Sequence, residues 1–279
     1  MRLRRLLWGC VLGLVVTGCQ NDSSTLPDVQ HQRPMRIVSL DVCADQYVVK
    51  LVDRERILGV SPDATRDFSY MREEARGLPV IRPIAEDVLV AKPDLVVRAY
   101  GGGPGAASFF TRAGIPMLSL GWAASIPEVF AVIEEVAKGL GESERGEAVV
   151  AEMRERLAAL QAGEGERTAL YMTPSGVTTG PGSLIHDMLL AAGLDNFQRQ
   201  SGWRPLPLER LAYETPDLVA AAFFDTHTSH TDGWSPMRHP VARAQIIDRP
   251  TVAIPGAWTA CAGWFLMDGV EALAGNVRS

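Results

Sequence analysis

The residue pattern predicts an α/β protein built as two lobes, and three observations carry that reading. Short β-branched apolar runs alternate with stretches of helical spacing near both ends of the chain, the pattern of parallel sheets with crossover helices. Between them, 126–162 keeps helical spacing throughout and leaves no room for a strand. Finally, Glu86-x6-Pro93-Asp94-Leu95-Val96 recurs as Glu209-x6-Pro216-Asp217-Leu218-Val219, at a constant offset of 123.

Taken in order, 36–40 reads as a strand, followed by Asp41 as an N-cap and a helix at 44–51. A second strand at 57–60 stops at Ser61-Pro62-Asp63. A short helix at 86–91, a buried strand at 94–97, a helix at 105–113 and a strand at 117–120 complete the first lobe. In the connector, Val129, Phe130, Val132, Ile133, Val136, Ala137 and Leu140 stand at three/four spacing, continued by Val149, Val150, Met153, Leu157 and Leu160. Gly139 and Gly141 break or bend that run. Alternation then resumes with strands at 168–172, 217–221 and 251–254 and helices at 183–192, 208–213 and 263–274. Each copy of the repeat is a short helix that opens on a glutamate and runs into a proline, which disfavours helix in the residue before it. The expected organisation is two Rossmann-like α/β lobes with parallel sheets, 35–124 and 163–279, joined by a long rigid helical connector at 125–162.

The first residues bear on compartment. Arg2, Arg4 and Arg5 precede an apolar run at 6–16, too short to cross a bilayer but suited to a signal peptide core. Val16-Thr17-Gly18-Cys19 closes it, so 1–18 is expected to be removed and 19–34, polar and proline-containing, to act as a tether. Loss of 1–18 takes three arginines and no acids, moving the net charge from −6 to −9. With no long basic run, the composition excludes nucleic acid as a partner. Cys43 and Cys261 then remain as a pair able to form a disulfide in an oxidising compartment, or to be small buried hydrophobes.

The segments RIVSLDVCADQYVVKLVDRERILGVS, AEDVLVAKPDLVV, AGIPMLSL, GPGSLIHDMLLAAGLDNF and LPLERLAYETPDLV, in that order, resemble the helical-backbone periplasmic binding proteins of ABC importers. That family serves uptake of cobalamin, iron–siderophore chelates and haem. The resemblance implies a monomer with no resident cofactor, no catalytic activity, and a guest held in a cleft between the lobes. Its cargo would be a small-molecule metal chelate, cobalamin or a ferric siderophore, delivered to a permease dimer with its ATPase. It also implies that Glu86 and Glu209 dock on that permease. The cysteine at the end of the leader resembles a lipobox, so Cys19 is expected to carry lipid and to anchor the protein in the periplasm, its sole membrane attachment.

Chelates of this class are large discs, so their sites need flat side chains. Trp122, Trp203 and Trp258 stand just past predicted strands or in loops, and Trp203 matches a cleft tryptophan of the cobalamin-binding branch; Trp264 is expected in the core. Arg98 and Tyr100 end a strand beside the glycine run at 101–105, and Arg98 would suit an anionic siderophore, with Arg82 and Arg204 as weaker candidates. Thr179 and Pro181 lie in the turn that opens the helix at 183, and Asp41 and Cys43 occupy the family's first ligand loop. Tyr47 falls inside a helix rather than at the tyrosine position of the haem-binding relatives. A competing reading gives direct Zn²⁺ or Mn²⁺ capture to His227, His230 and His239, near Asp225 and Asp232. An enzyme reading has only Ser183 and His186 with Asp187 adjacent, whose side chain points away from that pair.

Overall fold

A computed structural model describes residues 33–160, 167–222 and 236–277. The first lobe is formed by β1 (Ile37–Ser39), α1 (Val42–Leu51), β2 (Ile57–Gly59), α2 (Ala85–Ala91), β3 (Leu95–Arg98), α3 (Ala106–Arg112) and β4 (Met117–Ser119). Helices α4 (Ile126–Leu140) and α5 (Ser143–Ala159) follow. The second lobe holds β5 (Thr168–Met172), β6 (Val177–Thr179), α6 (Leu184–Ala191), β7 (Asp195–Asn196), β8 (Trp203–Pro205), α7 (Leu208–Leu211) and β9 (Leu218–Ala221). It ends with α8 (Pro240–Asp248), β10 (Thr251–Ala253), α9 (Gly256–Thr259) and α10 (Leu266–Val277).

Both sheets are parallel and share one topology. The first runs β2-β1-β3-β4; the second, read from its far edge, runs β7-β5-β9-β10. Each strand thus has its counterpart in the other lobe, and the sequence repeat falls on equivalent pieces, α2–β3 and α7–β9. The repeated aspartate does the same work in each. Asp94 accepts the N–H of Met35 (2.8 Å) and of Arg36 (2.9 Å), and Asp217 accepts the N–H of Thr168 (2.7 Å). One carboxylate per lobe therefore fixes the start of the central strand against its neighbour.

Strand residues alternate between two apolar layers, as a two-residue period requires. Val38 and Val96 face a cluster with Val88 and Phe110, whereas Ile37, Leu95 and Val97 face the interior. In the second lobe Leu170, Met172, Val219 and Ala221 pack outward, and Ala169, Tyr171, Leu218 and Ala220 pack inward. The two inward layers belong to a single continuous core, filled from below by Val129, Ile133, Val136 and Leu140 of α4, Val150 and Met153 of α5, and Phe265 to Met267.

The connector is two helices rather than one bent run. Ser125 caps α4 by accepting the Glu128 N–H, and the Glu128 carboxylate takes the Ala124 N–H at 2.7 Å, a variant of the capping box. Gly141 ends α4 in the left-handed region (φ 74°), which only glycine adopts without steric cost, and the chain turns back. Gly146 of α5 then lies so close to α4 that a methyl there would stand 2.4 Å from the Ala137 Cβ. Arg56, wholly buried, pairs with Glu142 at that turn and donates to the Leu140 carbonyl at 2.9 Å. The repeat, strands and connector thus follow the sequence pattern. The β6/β8 ribbon, β7, α8 and α9 were not foreseen.

Asp45, in the first turn of α1, is buried and accepts from the Ser61 N–H (3.0 Å), the Ser61 hydroxyl (2.6 Å) and the Ser39 hydroxyl. Burial pushes its carboxyl up to about 6, against the lowering pull of those donors. A folded-state value above the unfolded one means that this site favours the fold fully below about pH 4 and loses that contribution as pH rises through 6. Urea melts from pH 4 to 7 should therefore show wild type losing roughly 3 kcal/mol relative to Asp45→Asn. A constant difference between the two would mean that Asp45 titrates normally.

Candidate functional site

The two lobes face each other across a cleft of about 460 Å³. Its walls are built from the C-terminal ends of strands, where open α/β sheets place their ligand loops. From the first lobe come Ala99 and Tyr100 after β3, Leu120 to Ala123 after β4, and Cys43 and Tyr47 on α1. From the second come Ser183 to Ile185 and Met188 at the start of α6, Trp203 at the head of β8, and Trp258 to Ala262 around the end of α9. Val132 of α4 also lines the cleft.

Among the described residues, no Asp, Glu, Lys, Arg or His lines it. The aromatic groups supply its shape. Trp122 is 86% exposed, Tyr100 59% and Trp203 56%, values far from those of core aromatics. Trp203 has a buried backer: its ring meets Tyr171 edge to face, centroids 6.0 Å apart. It opens β8 and is paired with Thr179 of β6, so a residue expected in a loop is instead fixed in a ribbon. Trp258 packs over Gly269 of α10. Burial, followed by the Asp41, Asp63 and Asp45 carboxylates, holds the Tyr100 phenol above its ordinary value. Tyr100 is therefore a neutral phenol at neutral pH.

The cleft floor is where the lobes are tied together. Cys43 and Cys261 form a disulfide (Cα–Cα 5.5 Å), resolving the two open readings in favour of a bond, and both residues line the cleft. The Tyr47 hydroxyl donates to the Ala262 carbonyl at 2.8 Å, and its ring meets Trp264 edge to face at 5.6 Å. Farther down, Tyr70 donates to Asp268 at 2.9 Å, and Arg156 holds both Asp268 and Glu271 at 2.7 Å. Above, the Asp187 carboxylate of α6 accepts the N–H of Ile126 at the start of α4, 2.6 Å.

Trp203, Trp122, Trp258, Tyr100 and Cys43 are thus brought together, and six other sequence candidates are not. Asp41 is buried and spends both oxygens on backbone N–H groups: Ala44 with one, Ala99, Tyr100 and Gly101 with the other. Arg98 bends back onto the carbonyls of Tyr100 (3.0 Å) and Gly103 (3.3 Å). Thr179 is fully buried in the β6/β8 ribbon, and Pro181 faces a separate hollow with His186 and Asn196. Arg82 pairs with Asp87, and Arg204 donates to the Ser201 carbonyl. Trp264 is core, just ahead of α10 rather than within it. Sequence reasoning missed Leu120, Ile185, Met188 and Ala262 as wall residues, since small and aliphatic side chains carry no distinguishing signal.

Glu86 and Glu209 are exposed in the first turns of α2 and α7, one per lobe, and neither has an ion-pair partner among the described residues. The enzyme reading loses its geometry. Ser183 caps α6, His186 meets Asn196, and Asp187 serves Ile126. Among the described residues there is no cluster of metal-ligating side chains and no helix long and apolar enough to cross a membrane. His239 caps α8; His227, His230, Asp225, Asp232, Trp234, the leader and Cys19 lie outside the described residues.

Two like parallel sheets on a shared helical base, facing each other across an aromatic cleft whose described lining holds no Asp, Glu, Lys, Arg or His, have the architecture of a two-lobed binding protein. The chain belongs to the periplasmic binding protein family, whose model matches residues 37–253. It is 26% identical over 208 residues to a cobalamin-binding protein of Halobacterium salinarum, an alignment covering 71% of this chain and 56% of that relative. Over 99% of this chain and 98% of its partner, it is 23% identical to YvrC of Bacillus subtilis, an uncharacterized ABC transporter substrate-binding lipoprotein. Among solved structures, the apo periplasmic heme-binding protein RhuT of Roseiflexus superposes with a TM-score of 0.67 at 23% identity, covering 87% of this chain and 96% of that one. Family and neighbours are binding proteins of transport, not enzymes.

Removing the disulfide should cost stability, because it closes a loop with a sequence separation of 218. Cys43→Ser with Cys261→Ser is expected to lower unfolding free energy by about 2–5 kcal/mol in denaturant melts. Equal midpoints for the two proteins would show that the cystine contributes nothing.

Proposed function

We propose that this chain is the substrate-binding component of an ABC importer, and that its cargo is a bulky, uncharged metal chelate of the cobalamin type. The observation that carries the reading is the chemistry of the cleft: tryptophan and tyrosine faces, aliphatic walls, and no ionisable group but tyrosine among the described lining residues. A corrin ring bearing amides suits such walls, because flat apolar surface is buried and the chelate's single phosphodiester is balanced within the molecule by its metal centre. A catecholate siderophore or a haem with its propionates would bring anionic groups to a wall without a cation. The residue expected to meet such anions, Arg98, is occupied with its own loop. Free Zn²⁺ or Mn²⁺ would need a ligand set that the described cleft does not provide.

Capture then works without chemistry. The guest enters the open groove and stacks on Trp203, with Trp122, Trp258 and Tyr100 completing the contact. Closure is modest, since a shared core and a disulfide join the lobes beneath it. Lipid on Cys19 holds the protein at the periplasmic membrane surface. The loaded protein docks through Glu86 and Glu209, whose matched placement on lobes of one topology suits a permease of two-fold symmetry. Exposed carboxylates of this kind govern orientation and encounter.

Titration with cyanocobalamin, followed by tryptophan fluorescence, should show saturable quenching, while Co²⁺ alone and a ferric catecholate should leave the emission unchanged. Trp203→Ala should weaken binding by about 2 kcal/mol, roughly thirtyfold. Quenching by the ferric catecholate but not by cyanocobalamin would overturn the cargo assignment. For docking, Glu86→Lys with Glu209→Lys should abolish uptake in vesicles containing the cognate importer while leaving cargo affinity intact. Undiminished uptake would remove the docking role.

A further inference from the structure

Tyr100 sits at the tip of a turn that begins a run of three glycines, where an exposed aromatic would ordinarily be free to wander. Three features prevent that. One oxygen of Asp41, a residue only 3% exposed, accepts three consecutive backbone N–H groups, those of Ala99 (2.8 Å), Tyr100 (3.0 Å) and Gly101 (2.8 Å). Its second oxygen accepts the Ala44 N–H (3.0 Å) and caps α1, so the same carboxylate ties the Tyr100 turn to the helix that carries Cys43. From the other side the Arg98 guanidinium donates to the carbonyls of Tyr100 and Gly103 (3.0 and 3.3 Å). Gly101 lets this assembly approach β1, since a Cβ there would lie 2.4 Å from the Leu40 carbonyl oxygen. The backbone of residue 100 is held by hydrogen bonds on its N–H and its C=O, and Tyr100 lines the cleft.

We propose that Asp41 and Arg98 are positioning residues that fix Tyr100 in advance as a rigid contact for the guest, raising affinity without touching it. The inference rests on the reading of the cleft as the guest site. Its physical basis is preorganisation: a contact already immobilised in the free protein does not lose its freedom on binding. Charge-assisted hydrogen bonds donated to a buried carboxylate are suited to such a task, being short and strong. Asparagine at position 41 would keep one acceptor for the cap of α1 and replace the other by an amide N–H₂, which cannot accept from the turn.

Two measurements test this, one of them independent of any guest. Amide hydrogen exchange in the free protein should show Ala99, Tyr100 and Gly101 protected in wild type and exchanging at least tenfold faster in Asp41→Asn. Rapid exchange of these amides in wild type would overturn the inference whatever the cargo. Cyanocobalamin titrations then form a cycle. Asp41→Asn and Arg98→Met should each weaken binding five- to tenfold, and neither should weaken it further once Tyr100→Ala is present. Losses of equal size in both backgrounds would mean that the two residues act on the fold at large. If Asp41→Asn proves unstable, the Arg98→Met arm decides alone. A wild type that ignores cyanocobalamin yet protects these amides would refute the cargo reading and leave the positioning intact.

Discussion

Two sheets can grip a guest only if something holds their facing edges at a fixed separation, and in this protein a shared apolar core supplies that constraint. The inward layers of both sheets merge above α4 and α5, so Ile37 and Val97 of one lobe and Tyr171 and Ala220 of the other belong to one body of packed side chains. Displacing a lobe as a unit would open that body to water, at a cost that scales with the apolar area exposed. The polar ties stand on this base rather than replacing it. Tyr47 on Ala262, Tyr70 on Asp268 and Asp187 on Ile126 each select a relative position that the core already permits.

The same constraint explains the look of the cleft. Its floor is the top of the core, which is why aliphatic Val132 and Met188 line it alongside the tryptophans. A charged group placed there would border a low-dielectric interior without a partner, an arrangement that proteins avoid unless function demands it. The uncharged lining seen among the described residues and the apolar floor are consequences of one piece of packing, and the cargo proposed above is one that asks for both.

Much of this was legible in the sequence, and the exceptions have physical causes. The repeat around Glu86 and Glu209 announced two lobes, because a proline at a helix-to-strand switch and an aspartate anchoring a strand start are local requirements written in local residues. Trp203 was picked out by its match to a cleft tryptophan of the family rather than by local pattern, which read it as loop, and it lines the cleft from the start of a ribbon strand. The β6/β8 ribbon escaped because Thr178, Thr179, Arg204 and Pro205 carry no apolar alternation, and its pairing is settled by contacts distant in sequence. Asp41 and Arg98 were expected to meet a guest, and in the structure their hydrogen bonds go to backbone groups instead. Sequence gives a polar side chain's neighbourhood but not its direction, and both turn inward to the backbone. The Cys43–Cys261 bond was one of two open readings for the same reason, since separation along the chain says little about separation in space.

That bond also changes what a break in the chain would mean. With residues 43 and 261 joined, most of the chain lies within one covalent ring. A protease cutting the backbone once anywhere inside that ring opens it into a line without separating its ends, and both lobes stay attached to each other and to any lipid at Cys19. In an envelope where hydrolytic enzymes and shear are part of the surroundings, a nicked molecule of this design keeps its two halves in register.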